Sequence, residues 1–289
     1  MTAAGLVVDA HHHLWDPATA DYPWLTEELA AIRRRFDPDD LSPLLQATGV
    51  DATVLVQTRS SVEETEAFLA TAAVTPFIAG VVGWLELADP AIDEAIGRLR
   101  ERSGGARLVA IRHQVQDEPD PDWLARPDVR RGIAAVGRAG LAYDLLVRTR
   151  ELPAAVSAVG DLPGVRFVLD HLAKPPIRDG TPALEAWAAE LRPLARFPNV
   201  AAKVSGLVTE ANWRSWTVDD LVGPVRIAVD SFGPERLMFG SDWPVSLLAA
   251  RYDEVLAAAD SALAAAGVTA DERSGIFGPN AVRIYRLAV

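Results

Sequence analysis

The chain has 289 residues, enough to bury one large core and a length that barrels often use as a single domain. It has no cysteine, which removes disulfides and thiol nucleophiles and fits a reducing compartment. Its net charge is -12 and its one compact basic run is Arg33-Arg34-Arg35, so nucleic-acid binding lacks its usual electrostatic footprint. No apolar run approaches the ~18 residues needed to span a bilayer, and the first residues lack the positive and apolar regions of a secretion signal. A cytoplasmic protein without a membrane partner is the expectation.

The first apolar run, Gly5 to Val8, leads into Asp9-Ala10-His11-His12-His13, and a strand is predicted over 6–10. In an extended chain residues two apart share a face, so His11 and His13 project together while His12 points away. Such a His-x-His pair suits a metal or an oxyanion; the plainer reading is a polar strand end with satisfied rings. The segment from Leu14 to Gln46 carries Trp15 and Trp24 and is long enough to cover one end of the fold. The arginine run inside it reads as the solvated face of a helix.

Further β-branched runs at 52–57, 78–84, 108–113, 142–147, 165–170, 200–204 and 237–240 complete a set of eight strands. Helical stretches rich in Ala, Leu, Glu and Arg follow at 62–73, 91–102, 127–139, 152–159, 182–196, 218–232 and 252–266. Many of the strands are apolar on both faces, and with helices between them they predict an α/β fold, a closed parallel (β/α)8 barrel. No Gly-rich phosphate loop follows the first strand to favour a doubly wound sheet, and no linker or composition break divides residues 1–289.

Barrel active sites form at the C-terminal strand ends. Those ends carry His11 and His13; Gln57; Trp84; Arg112 and His113; Asp144 and Arg148; Asp170, His171 and Lys174; Lys203; and Asp242. All five histidines lie at three of them. Of the 28 basic residues only Lys174 and Lys203 are lysine, and both stand at strand ends, where a compact ammonium can be wanted. Arg112 and His113 are adjacent on one strand, so only one should reach a substrate directly; His113 is the expected one, with Arg112 as an ion-pairing support.

The ordered motifs VDAHHHLWD, GVVGWLEL, IRHQVQDEPDPDWL, LAYDLLVR, FVLDHLAKPPI, AKVSGLVTEANW, RLMFGSDWPVSLLA and IFGPNAVRIYRL span nearly the whole chain. Together they resemble the amidohydrolase-related (type 2) family of the amidohydrolase superfamily, within it the sugar lactonases of the L-fuconolactonase and L-rhamnonolactonase kind. The resemblance implies a distorted (β/α)8 barrel. It assigns His11, His13 and His171 to carbonyl polarisation or metal ligation, and Asp242 to removing a proton from water. Binuclear members place a carbamylated lysine at strand four and a histidine at strand five, where this chain has Arg112-His113 and Asp144, so no two-metal centre is expected.

The implied cofactor state is none, or a single zinc held by His11, His13, His171 and Asp242. The implied reaction is hydrolysis of a sugar lactone to its aldonic acid, with Asp242, His171, His11, His13 and His113 in catalysis. Arg112, Lys174, Trp84, Gln57, Asp144 and Arg148 would bind the polyhydroxylated substrate. The alternatives are a metal-dependent amide hydrolase or decarboxylase of the same family, and a non-catalytic binding barrel. The partner expected is a small molecule, and the sequence leaves room for a homo-oligomer.

Overall fold

The computed structural model describes residues 5 to 289. Eight strands form one sheet in chain order: β1 (Val8–His12), β2 (Ala52–Val56), β3 (Ile78–Gly83), β4 (Leu108–His113), β5 (Ala142–Leu145), β6 (Arg166–Leu169), β7 (Val200–Val204) and β8 (Leu237–Phe239). Each pairs in parallel with the next. The seam between β1 and β8 closes through the backbone: His13 N–H donates to Trp243 O at 2.7 Å and Asp242 N–H to His11 O at 2.8 Å. The predicted (β/α)8 barrel is therefore the observed architecture.

The helices are α1 (Pro38–Thr48), α2 (Val62–Val74), α3 (Ile92–Glu101), α4 (Pro127–Arg138), α5 (Leu152–Asp161), α6 (Thr181–Ala195), α7 (Leu207–Glu210), α8 (Val218–Phe232), α9 (Tyr252–Ala265), α10 (Ala270–Ile276) and α11 (Pro279–Tyr285). All seven predicted helices are present. Two expectations shift. β1 runs through His12 instead of stopping at residue 10, because its ladder with β2 begins only at Val8, paired with Ala52, and continues to His12, whose ring meets Thr53 Oγ1 of β2. The arginine run lies beyond the 3₁₀ turn Glu27–Ile32 and before α1, exposed but not helical.

Alternate strand residues pack two different cores. Val8, Ala10, Val54, Val56, Val82, Ala110, Ala142, Val168 and Met238 pack with Ala281, Ile284, Tyr285 and Leu287 at the C-terminus, filling the barrel interior. The other strand face, including Leu55, Ile111, Tyr143, Phe167 and Phe239, packs against the surrounding helices. Two residues beyond Ala110, Ala142, Val168 and Ala201, on the same inner face, stand Arg112, Asp144, Asp170 and Lys203. The interior thus changes from apolar to charged toward the C-terminal ends of the strands.

Candidate active site

At that end of the barrel lies a cavity of about 370 Å³. His13, Arg112, Arg148, His171, Lys174 and Asp242 line it, with Trp24, Gln114, Gln116, Asp117, Thr209, Glu210 and Trp213. A second concavity of about 320 Å³, beside α2 and lined by Trp15, Tyr22 and Arg59 among others, contains none of the histidines. The chemistry therefore belongs to the barrel mouth.

Three histidines and an aspartate meet there. His11 Nε2 is 3.1 Å from His13 Nε2, and Asp242 Oδ1 lies 3.4 Å from His13 Nε2, 3.8 Å from His11 Nε2 and 3.9 Å from His171 Nε2. His13 Nδ1 is 2.8 Å from the Val56 carbonyl, which can only accept, so this nitrogen carries the proton. His171 is held through Nδ1 by Ser205 Oγ at 2.9 Å. His12 points away, with Nε2 2.9 Å from Thr53 Oγ1.

His171 is placed by an unusual backbone. His171, Leu172, Ala173 and Lys174 all have positive φ, between 51 and 59°, a left-handed run that L residues adopt only when the surroundings hold them. Leu172 and Ala173 are fully buried, and Trp187 Nε1 donates to the Leu172 carbonyl at 2.8 Å. The turn aims His171 at Asp242 and sends Lys174 to the cavity wall. Gly206, at φ 66°, passes so close that a Cβ there would lie 2.7 Å from His171 Nδ1 and 3.0 Å from Asp242 Oδ2.

Beneath the histidines is a buried ionic network. Lys203 Nζ lies 2.7 Å from Asp144 Oδ2, 2.8 Å from Asp170 Oδ1 and 3.1 Å from His11 Nδ1, with no solvent exposure. Arg112 donates to Asp170 Oδ2 at 2.8 Å and to the Gln57 carbonyl. Burial alone would raise the Asp170 carboxyl, but Lys203, His11 and Arg112 hold it well below its ordinary value. Burial pushes the Asp144 carboxyl up, against Lys203. Burial, then the Lys203 charge, keeps His11 neutral well below the imidazole range. Burial would raise the Asp242 carboxyl too, but its imidazole neighbours, His171 first, and the Lys174 charge outweigh it and hold it below its ordinary value.

Several residues expected around the substrate stand elsewhere. Arg112, not His113, lines the cavity. His113 stacks on Trp123 with ring centroids 4.1 Å apart, accepts from Trp84 Nε1 at 3.0 Å and has Nε2 2.7 Å from Glu118 Oε1. It and Trp84 thus belong to packing beside the mouth. Gln57 supports Arg112 from below, and Asp144 is buried against Lys203 and Tyr285, whose Oη donates to it at 2.6 Å. Arg148 and Lys174 do line the cavity. Sequence reasoning missed Glu210 and Trp213, although both lie in the motif AKVSGLVTEANW, and it underrated Lys203 despite its being one of only two lysines.

One ligand atom each from His11, His171 and Asp242 lie within 4.8 Å of one another, a set that could hold one metal ion. Two imidazoles and a carboxylate are a suitable donor set for zinc. His13 adds a bare Nε2 next to His11 but falls outside that compact set. No second group of this kind occurs among the described residues.

The sequence profile of the amidohydrolase family matches residues 8–287. The chain belongs to that family. It is 40% identical to L-fucono-1,5-lactonase of Burkholderia multivorans, with 98% of this chain and 96% of that protein covered. It is 40% identical to the protein of the same name from Burkholderia ambifaria, with 97% and 95% covered. Crystal structures of an amidohydrolase from Burkholderia multivorans, one with bound HEPES and one with bound zinc, superpose with a TM-score of 0.92 at 39% identity, covering 98% of this chain and 100% of that one.

Proposed function

We propose that the protein hydrolyses a sugar lactone to its aldonic acid, with L-fucono-1,5-lactone and related aldonolactones as the first substrates to test. The observation that carries this is the meeting of Asp242 with the Nε2 edges of three histidines in a cavity walled by Arg112, Arg148 and Lys174. The near full-length likeness to two L-fucono-1,5-lactonases supports the substrate class.

In this reading Asp242 takes a proton from a water in the cavity, and the resulting hydroxide attacks the lactone carbonyl. His171 faces the developing oxyanion from the cavity wall with His11 and His13 beside it, and Lys174 adds a charged donor from the wall. The ring C–O bond then breaks, and the alkoxide takes the proton back from Asp242, leaving a hydroxyl and a carboxylic acid that loses its proton to solvent as the carboxylate. Arg148 and Lys174 have no ion-pair partner among the described residues and offer charge to that carboxylate. Trp24 and Trp213 supply apolar faces for the sugar ring.

A zinc ion on His11, His171 and Asp242 would polarise the carbonyl or acidify the water. A lactone carbonyl is reactive enough for imidazole and ammonium donors to serve instead. The test is hydrolysis of an aldonolactone panel, followed by a pH indicator, before and after exhaustive chelation. Lactonase activity that survives chelation is expected. Activity restored only by stoichiometric zinc would move the three histidines to metal ligation, and inactivity on every lactone would remove the reading.

A further inference from the structure

Lys203 takes no direct part in that chemistry, yet it fills the centre of the barrel under the cavity, hydrogen-bonded to Asp144 and His11 and ion-paired with Asp170. We propose that Lys203 fixes the ring proton of His11 on Nε2, so that His11 donates toward His13 and ligates a metal only after that proton moves to Nδ1. Lys203 is thus a positioning residue acting through His11.

Two independent contacts require the same tautomer. At the lower edge, His11 Nδ1 lies 3.1 Å from Lys203 Nζ, an ammonium that can only donate, so Nδ1 accepts. Asp170 Oδ1, at 3.4 Å, is the only other group there, and an Nδ1–H aimed at it would stand donor to donor with the nearer ammonium. At the upper edge, His11 Nε2 and His13 Nε2 are 3.1 Å apart and one of them must donate. His13 has its proton on Nδ1, committed to the Val56 carbonyl, so His11 Nε2 is the donor. Lys203, His11, His13 and Val56 form one directional chain of hydrogen bonds.

That chain has consequences for both ligands of the site. A lone pair on His11 Nε2 is needed for a metal, and the Lys203 contact withholds it. In the lactonase reading the same proton stays between the two histidines and leaves the carbonyl to His171 and Lys174 at the cavity wall, and this part of the inference rests on that reading. The tautomer itself does not. Asp144 and Asp170 hold the ammonium from two sides, which keeps the donor directed at His11 even though Lys203 is fully buried.

Nitrogen-15 NMR of the uniformly labelled, metal-free protein tests it, because only five histidines contribute and His11→Gln identifies the signals of His11. A protonated Nε2 and a bare Nδ1 are expected; the reverse pattern overturns the proposal whether or not the protein opens lactones. Lys203→Met provides the second measurement. Its His11 proton should move to Nδ1, toward Asp170, and zinc affinity by calorimetric titration should rise by about tenfold or more. An unchanged tautomer or unchanged zinc affinity in a folded Lys203→Met protein would also overturn it. Should that variant fail to fold, the wild-type spectrum alone decides.

Discussion

His12 separates the two strand-one histidines of the site, and its own environment sets a measurable property of the protein. It is fully buried, with only Thr53 Oγ1 on Nε2 and nothing on Nδ1, and burial lowers its pKa to about 3. The unfolded chain protonates this ring near 6.5 and the folded chain does not. Below pH 6.5 the unfolded state therefore binds one more proton, so stability from this group is complete above that pH and falls toward pH 3. His12 should contribute a slope of roughly 1.4 kcal/mol per pH unit in urea unfolding, which His12→Gln should remove. An identical slope in the two proteins would contradict the buried neutral ring. Asp242 supplies the complementary test of function. Asp242→Asn keeps the shape but cannot take a proton, so kcat should fall about 10³-fold with an unchanged far-UV spectrum. Retention of a tenth of the activity would remove Asp242 as the base. His113, stacked on Trp123 outside the cavity, should behave differently: His113→Phe is expected to lower thermal stability while leaving kcat within a few-fold.

The connection leaving β7 shows how an element end positions chemistry. Gly206 is left-handed at φ 66°, where any other L residue costs about 1–2 kcal/mol, and its missing side chain leaves room for His171 and Asp242. Gly206→Ala should push His171 away from Asp242 and lower kcat by about 10- to 100-fold, more than its modest loss in thermal stability would explain. Wild-type kcat in that variant would show that His171 does not need its present position. The strands and seven long helices were legible because each repeats one period over several residues. The pieces that escaped are short or carry their signal in caps. α1 is capped by Asp37 with a capping box and has Pro38 in its first turn, a pattern present in the sequence just beyond the arginine run, where a helix is expected instead. α10 and α11 have seven residues each, too few for a period to stand out. Within the site, strand position identified His13, His171 and Asp242, but parity could not decide between Arg112 and His113. That choice depends on which face turns inward, and the register of β4 against β5, with Arg112 opposite Asp144, is a property of the closed barrel.

Closure itself depends on few contacts. β1 and β8 meet through backbone bonds that directly flank His11, His13 and Asp242, so the seam and the active site are the same piece of structure. Asp9 braces it from the outer side. Its Oδ1 accepts from Ser241 N–H at 2.8 Å and from His11 N–H at 3.1 Å, and its Oδ2 accepts from Tyr252 Oη of α9 at 3.0 Å. Burial raises the Asp9 carboxyl despite these donors. Asp9→Asn keeps the acceptor that Ser241 and His11 use, and Tyr252 can accept from the new amide. Asp9→Leu leaves two backbone N–H groups and the Tyr252 hydroxyl buried without partners, at about 1–3 kcal/mol each. Urea unfolding should therefore separate the pair, with Asp9→Asn losing about 1 kcal/mol and Asp9→Leu about 3 kcal/mol or more. Because the lost bonds hold the backbone of His11 and of Ser241, next to Asp242, Asp9→Leu should also lose kcat at temperatures where it is still folded. Equal stability of the two variants, or full activity in the leucine variant, would show that the barrel closes without the Asp9 brace.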